Sequence, residues 1–202
     1  GNTGSAKTEV LAAVVAAGGQ VIDLEGLANH RGSLFGGMPG GQTSQKAFES
    51  RLARVLAALD PGRPVLVEAE SSRIGALIVP RKLWAAMCAA PRVRLAVPLA
   101  ARGAYLARAY ADVWGEAGRI GQHIGQLRRL QPEAVIEGWR ALAEAEDWAA
   151  LAESLMAQHY DPRYERQRAK HAVAGEVVVP VERLEPDDMA AVAARVIAAA
   201  RL

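Results

Sequence analysis

The chain has 202 residues, of which 51% are hydrophobic, 23% charged and 5% aromatic, with a net charge of +2 and a mean hydropathy of +0.04. That balance excludes a disordered tail, and a charge this small does not by itself make a nucleic-acid scaffold. No stretch reaches the apolar length of a membrane span, and a chain of this size holds one substantial core, so no membrane partner is expected.

The first eight residues, Gly1-Asn2-Thr3-Gly4-Ser5-Ala6-Lys7-Thr8, follow the phosphate-binding pattern G-x-x-x-x-G-K-[ST] except at the sixth position, where Ala6 replaces glycine. Glycines let backbone N–H groups turn inward around phosphate oxygens, lysine neutralises their charge, and the threonine hydroxyl is a magnesium ligand. Asn2, Thr3, Gly4, Ser5, Ala6, Lys7 and Thr8 are therefore the candidate phosphate-binding residues, with Mg2+ as the expected cofactor at Thr8. Val10, Leu11, Val14 and Val15 follow at helical spacing. Because such a loop joins a buried strand to its helix, native sequence upstream of Gly1 is expected.

After Gly18-Gly19 comes a short strand at 20–23, then a glycine-rich segment at 26–41 and a helix at 44–59 closed by Asp60-Pro61-Gly62. An apolar run at 64–68 reads as a buried strand that ends in Glu68, Pro80 sits in the first turn of a helix to 89, and 92–97 is another strand. Cys88 lies inside that helix, which excludes disulfides and cysteine-rich metal sites here and fits a reducing cytoplasm. From 100 to 157 the pattern is helical throughout, with breaks at Pro132 and Asp147. A last strand at 176–181 and an alanine-rich helix after Glu185-Pro186-Asp187-Asp188 close the chain. The expected fold is α/β, a P-loop NTPase-like parallel sheet flanked by helices with a helical insertion. Its parts are a core at 1–99, the insertion at 100–158 and a return to the core at 159–202.

Three clusters bear chemistry. The run from Asp23 through Glu25, His30 and Arg31 to Ser33 follows a strand, which is where open parallel sheets bind ligands. There Asp23 would hold magnesium or water or accept a proton, and His30 and Arg31 would contact phosphate or a base. The plainer reading is a loop whose Asp and Asn make turns. At 67–75, Glu68 or Glu70 ends a strand as a metal-organising acid does beside a phosphate loop, and Arg73 is a charge-stabilising candidate; alternatively Glu70 and Arg73 form a surface ion pair. His159-Tyr160-Asp161-Pro162-Arg163-Tyr164 reads as a loop around an Asp-Pro turn. Its Tyr160, Arg163 and Tyr164 suit base stacking and phosphate contact, or else the two tyrosines are a packing staple. The basic runs Arg119, Arg128, Arg129 and Arg163, Arg166, Arg168, Lys170 read most simply as solvated helix faces.

Together GNTGSAKT, QVIDLEGLANHRGSLFG, VEAESSRIG and HYDPRY resemble the P-loop domain of bacterial tRNA 2-selenouridine synthases. The resemblance runs from Gly1 to at least Tyr164 and implies a transferase that replaces sulfur by selenium in 2-thiouridine at the tRNA wobble position. It implies selenophosphate as the selenium donor, geranyl diphosphate as the source of a geranylated intermediate, and tRNA as partner. A rhodanese-like domain bearing the reactive cysteine precedes the P-loop domain in that family, so this segment alone is not expected to complete selenation. In this frame Lys7, Arg31 and Arg73 clamp the diphosphate, Asp23 and Glu68 organise metal or water, and the helical insertion contacts tRNA. A P-loop kinase acting on a small molecule or nucleotide explains the same loop, acids and arginines without RNA.

Overall fold

The computed structural model describes residues 1–32, 36–68, 71–114, 119–170 and 175–201, with the backbone alone at 112, 113, 119, 167 and 170. Helix α1 (Lys7–Ala16) leaves the opening loop directly and buries Val10 and Val14. The N–H groups of Gly18 and Gly19 return to the carbonyls of Val15 and Val14 and end it. Strand β1 (Gln20–Ile22) leads into α2 (Leu24–Ala28), then α3 (Gln45–Ala58), β2 (Val65–Val67), β3 (Arg73–Ile74), β4 (Leu77–Ile78), α4 (Arg81–Ala89) and β5 (Arg92–Ala96). A helical stretch follows: α5 (Leu99–Ala109), α6 (Ala111–Trp114), α7 (Arg119–Gln126), α8 (Glu133–Glu144), α9 (Trp148–Leu155), a π turn at Met156–Tyr160 and α10 (Asp161–Lys170). The chain closes with β6 (Glu176–Pro180) and α11 (Met189–Ala200).

These elements fall into two compact units. A helical unit comprises Gly1–Ala6, Leu95–Ala172 and Pro180–Pro186; an α/β unit comprises Lys7–Arg94, Val173–Val179 and Asp187–Leu202. In the α/β unit β1 and β2 run parallel, with Ile22 opposite Val67, and α1 packs on α11. Phe48 and Leu52 of α3 are buried with Ile22, Leu24, Ala28, Ile74, Leu77 and Val79 in its core. The helical spacing of Phe48 and Leu52 explains why only one face of α3 is buried. In the helical unit α9 packs against both α5 and α8, and Trp139 is buried with its Nε1 donating to Ser154 Oγ at 2.9 Å. Trp114 and Trp148 stack with ring centres 5.3 Å apart.

The fold is α/β as expected, but among the described residues the strands form three two-stranded sheets, β1-β2, β3-β4 and β5-β6. Part of the reason is local. Residues 73–78 fold back on themselves as an antiparallel hairpin around Gly75-Ala76, instead of extending the parallel pair. Two further segments differ from expectation. Residues 24–28 are helix and not loop, because Asp23 Oδ1 accepts from Gly26 N–H at 2.8 Å and caps a turn that buries Leu24 and Ala28. Residues 159–164 are likewise helical. Pro162 has no N–H to give the Gln158 carbonyl, which accepts from Gln131 Nε2 at 2.9 Å instead, while the Asp161 N–H reaches back to Met156 O. That widened turn lets the helix pass through the Asp-Pro step without breaking. No helix among the described residues is long and apolar enough to cross a membrane.

Gly75 sits at φ +57°, and a Cβ there would lie 2.3 Å from Gln42 Oε1. Gln42 is committed on both sides of the turn, accepting from Ala76 N–H at 2.7 Å and donating to the Ile74 carbonyl at 2.8 Å. Gly75→Ala is expected to lower unfolding stability by about 1–2 kcal/mol, read from the urea midpoint at unchanged m-value.

Candidate functional site

The opening loop is tied down inside the helical unit. Ser5 closes it by donating both its N–H, at 3.3 Å, and its hydroxyl, at 2.8 Å, to the Asn2 carbonyl. Gly4 stands at φ +77°, and a side chain there would press on Leu106 and on Met156 Sδ, 3.0 and 3.1 Å from its Cβ. Glycine is therefore required at that position twice over, by conformation and by space. Ala6, in the place of the usual glycine, also adopts a left-handed conformation at φ +52° with its methyl group buried. The methyl faces the interior, so the substitution costs backbone strain of about 1–2 kcal/mol in place of an obstruction at the surface.

A buried ion pair holds this loop. Arg102, in the first turn of α5 and with a side chain only 7% exposed, grips Asp161 with both prongs: Nη1 to Oδ1 at 2.9 Å and Nη2 to Oδ2 at 2.7 Å. The same Nη1 lies 3.2 Å from the Thr3 carbonyl, and Asn2 Nδ2 donates to Asp161 Oδ1 at 2.9 Å. Two consecutive loop residues are thus hydrogen-bonded to one guanidinium–carboxylate pair. Breaking such a pair on one side leaves a buried charge and costs about 3–5 kcal/mol. Sequence reading missed Arg102, which belongs to no motif and lies in an alanine-rich run, and it took Asp161 for a turn residue.

In the α/β unit, β1 and β2 end side by side, so Asp23 and Glu68 leave adjacent parallel strands at equivalent positions. Glu68 is 2% exposed, and its Oε1 accepts from the Glu25 N–H at 3.2 Å. Asp23 is the cap of α2. Lys7 and Thr8 open α1, Lys7 half-buried and Thr8 exposed. His30 and Arg31 are half-buried; His30 Nδ1 accepts from Gly32 N–H at 3.0 Å, and Arg31 N–H donates to the Gly36 carbonyl at 2.9 Å. Arg73 is exposed on β3. Ser33, Glu70 and the side chains of Arg119 and Lys170 lie outside the described residues. Among the described residues no three His, Cys, Asp or Glu side chains gather as a metal-ligand set.

The remaining candidates line the widened helix. His159 is buried and meets Tyr160 edge-on at 5.0 Å, Arg163 is exposed, and Tyr160 and Tyr164 are half-buried. Two donors face the imidazole, Gln131 Nε2 at 3.4 Å from Nδ1 and Arg163 Nη1 at 3.5 Å from Nε2. A neutral ring can accept from one of them, whereas an imidazolium can accept from neither. Burial, and then the Arg163 charge, hold the His159 pKa below its ordinary value of 6.5.

Residues 1–119 match the family model for the tRNA 2-selenouridine synthase AAA domain. The chain belongs to the tRNA 2-selenouridine synthase family. Among curated relatives of that name, the protein of Chromohalobacter salexigens is 36% identical over 195 residues, covering 83% of this chain and 52% of the relative. The Hahella chejuensis protein is 34% identical over 203 residues, covering 85% and 52%, and the Aeromonas salmonicida protein is 44% identical over 117 residues, covering 56% and 30%. The chain thus spans about half the length of the first two relatives. No solved structure matches it.

A pH test reads the packing of the widened helix directly. Because folding depresses the His159 pKa, the unfolded chain binds more protons as pH falls below 6.5; the contribution is fully present above that value and lost beneath it. The urea midpoint is expected to fall from about pH 7 to about pH 5 more steeply in the wild type than in His159→Gln.

Proposed function

We propose that this chain is the phosphate-binding part of a tRNA-modifying transferase, a P-loop NTPase-like domain. It holds geranyl diphosphate while a 2-thiouridine at the tRNA wobble position is alkylated on sulfur. The family and the names of its relatives support the tRNA-modifying role. One observation supports phosphate binding: a loop turned by Gly4 and Ala6 runs directly into a helix that opens with Lys7 and Thr8. Backbone N–H groups and a lysine there answer the charge that grows on the departing diphosphate oxygen as the carbon–oxygen bond breaks. Arg31 and Arg73 add positive charge to the clamp, and Asp23 and Glu68 order metal or water.

The donor set fits magnesium. Thr8 Oγ1 and the Asp23 carboxylate are hard oxygens, and a cation that keeps waters and takes substrate phosphate oxygens needs few protein ligands. Bound there, magnesium would neutralise part of the phosphate charge. Replacement of the geranylthio group by selenium from selenophosphate then follows, with a rhodanese-like domain upstream in the same chain supplying the reactive cysteine. The tRNA meets Tyr160, Arg163 and Tyr164 on the helix through Asp161, and His30 and Arg31 in the α/β unit. Such an enzyme works in the cytoplasm, where its tRNA resides.

Lys7→Ala is expected to weaken geranyl diphosphate binding about 10- to 100-fold, the value of roughly 1.5–3 kcal/mol for a hydrogen bond to a charged group. In the full-length enzyme it should stop geranylation of 2-thiouridine. Calorimetric titration and product analysis read the two effects, and undiminished geranyl transfer would sink the assignment. ATP titrated in parallel serves as the control, since ATP turnover without tRNA affinity would favour a kinase.

A further inference from the structure

We propose that Asp161 is a positioning residue that couples occupancy of the phosphate loop to RNA contact on α10, a coupling that rests on the functional reading above. Asp161 is shared between two structures. Its backbone N–H closes the π turn on Met156 O, and its carboxylate receives Asn2 Nδ2 and both prongs of Arg102. The residues on either side of it, Tyr160, Arg163 and Tyr164, are those assigned to RNA. A shift of α10 therefore moves the carboxylate that holds Asn2 and, through Arg102, the carbonyl of Thr3.

The π turn at Met156–Tyr160 is the joint at which such a shift would act. A π turn holds more residues than a regular turn and occurs as a single bulge inside an otherwise regular helix. Here Pro162 has already removed the backbone bond that would have locked a regular turn, and a side chain, Gln131, stands in for it at the Gln158 carbonyl. Within Arg102, Nη1 is shared among Asp161, Thr3 and Met156 Sδ, while Nε is buried with no hydrogen-bond partner among the described residues. A guanidinium held in this way has donors to spare if its carboxylate shifts. RNA bound on α10 and diphosphate bound in the loop thus act on the same carboxylate, and linkage makes the effect reciprocal.

The test uses the full chain, inorganic pyrophosphate and an anticodon stem-loop carrying 2-thiouridine. In the wild type the stem-loop is expected to change pyrophosphate affinity by about fivefold or more, with an equal effect of pyrophosphate on RNA affinity. Asp161→Asn should bring both ratios to within about twofold while RNA alone still binds. Should Asp161→Asn fold poorly, Arg102→Met/Asp161→Leu removes the same tether without leaving a buried charge. A purely structural role for Asp161 would lower both affinities and leave their ratio intact, and that result overturns the proposal. So does a wild type that binds both ligands independently, a result the functional reading survives. A wild type that binds neither ligand takes down both.

Discussion

A guanidinium withdrawn from water must be met by a carboxylate, and in the helical unit that requirement fixes where the opening loop can be. Arg102 sits in the first turn of α5, where the helix dipole disfavours a cation, so its position is tenable because Asp161 is there. Asp161 in turn occupies the first turn of α10, where a negative charge is favoured. The two helix starts therefore complement each other, and their shared pair presents spare hydrogen-bonding capacity to Asn2 and Thr3. Placing a loop by its side chain at one residue and its carbonyl at the next leaves its backbone little freedom.

The need for such bracing comes from the loop's own sequence. Gly4 adopts its left-handed conformation at no steric cost, but Ala6 does not, and a strained alanine stays put when the surroundings over-determine it. Here the loop that carries it is held by Ser5, doubly bonded to Asn2, and by Gly4, whose open side is closed by Leu106 and Met156. The departure from the usual glycine pattern is thus accommodated by the helical unit, in which Leu106 and Met156 share a core with Ala152.

Much of the architecture was legible because it is written locally. Caps and breakers at Ser44, Asp147 and Pro132, the run ending in Glu68, and the glycines after α1 mark element ends within a few residues. What could not be read is what depends on distant partners. Asp161-Pro162 is a turn signal wherever the preceding carbonyl lacks another donor; Gln131, 27 residues before Gln158, supplies one and keeps the helix intact. Arg102 carries no signature, since an arginine among alanines looks like a surface helix until the partner 59 residues away is known. The segment after Asp23 misleads for a different reason. Its glycine and polar residues suit a loop, but burial of Leu24 and Ala28 at helical spacing outweighs their weak preference.

The carboxylates of the α/β unit show the same dependence of chemistry on backbone. Glu68 accepts the Glu25 N–H and Asp23 accepts the Gly26 N–H, so both acids are oriented by the short helix that follows Asp23. Were 24–28 the open loop that its composition suggests, neither N–H would be held in place to fix a carboxylate. A group fixed by the main chain is poorly suited to swing toward a substrate and well suited to keep a water or cation where it is. The helix at 24–28, where composition suggests a loop, is what fixes the Asp23 and Glu68 carboxylates in place.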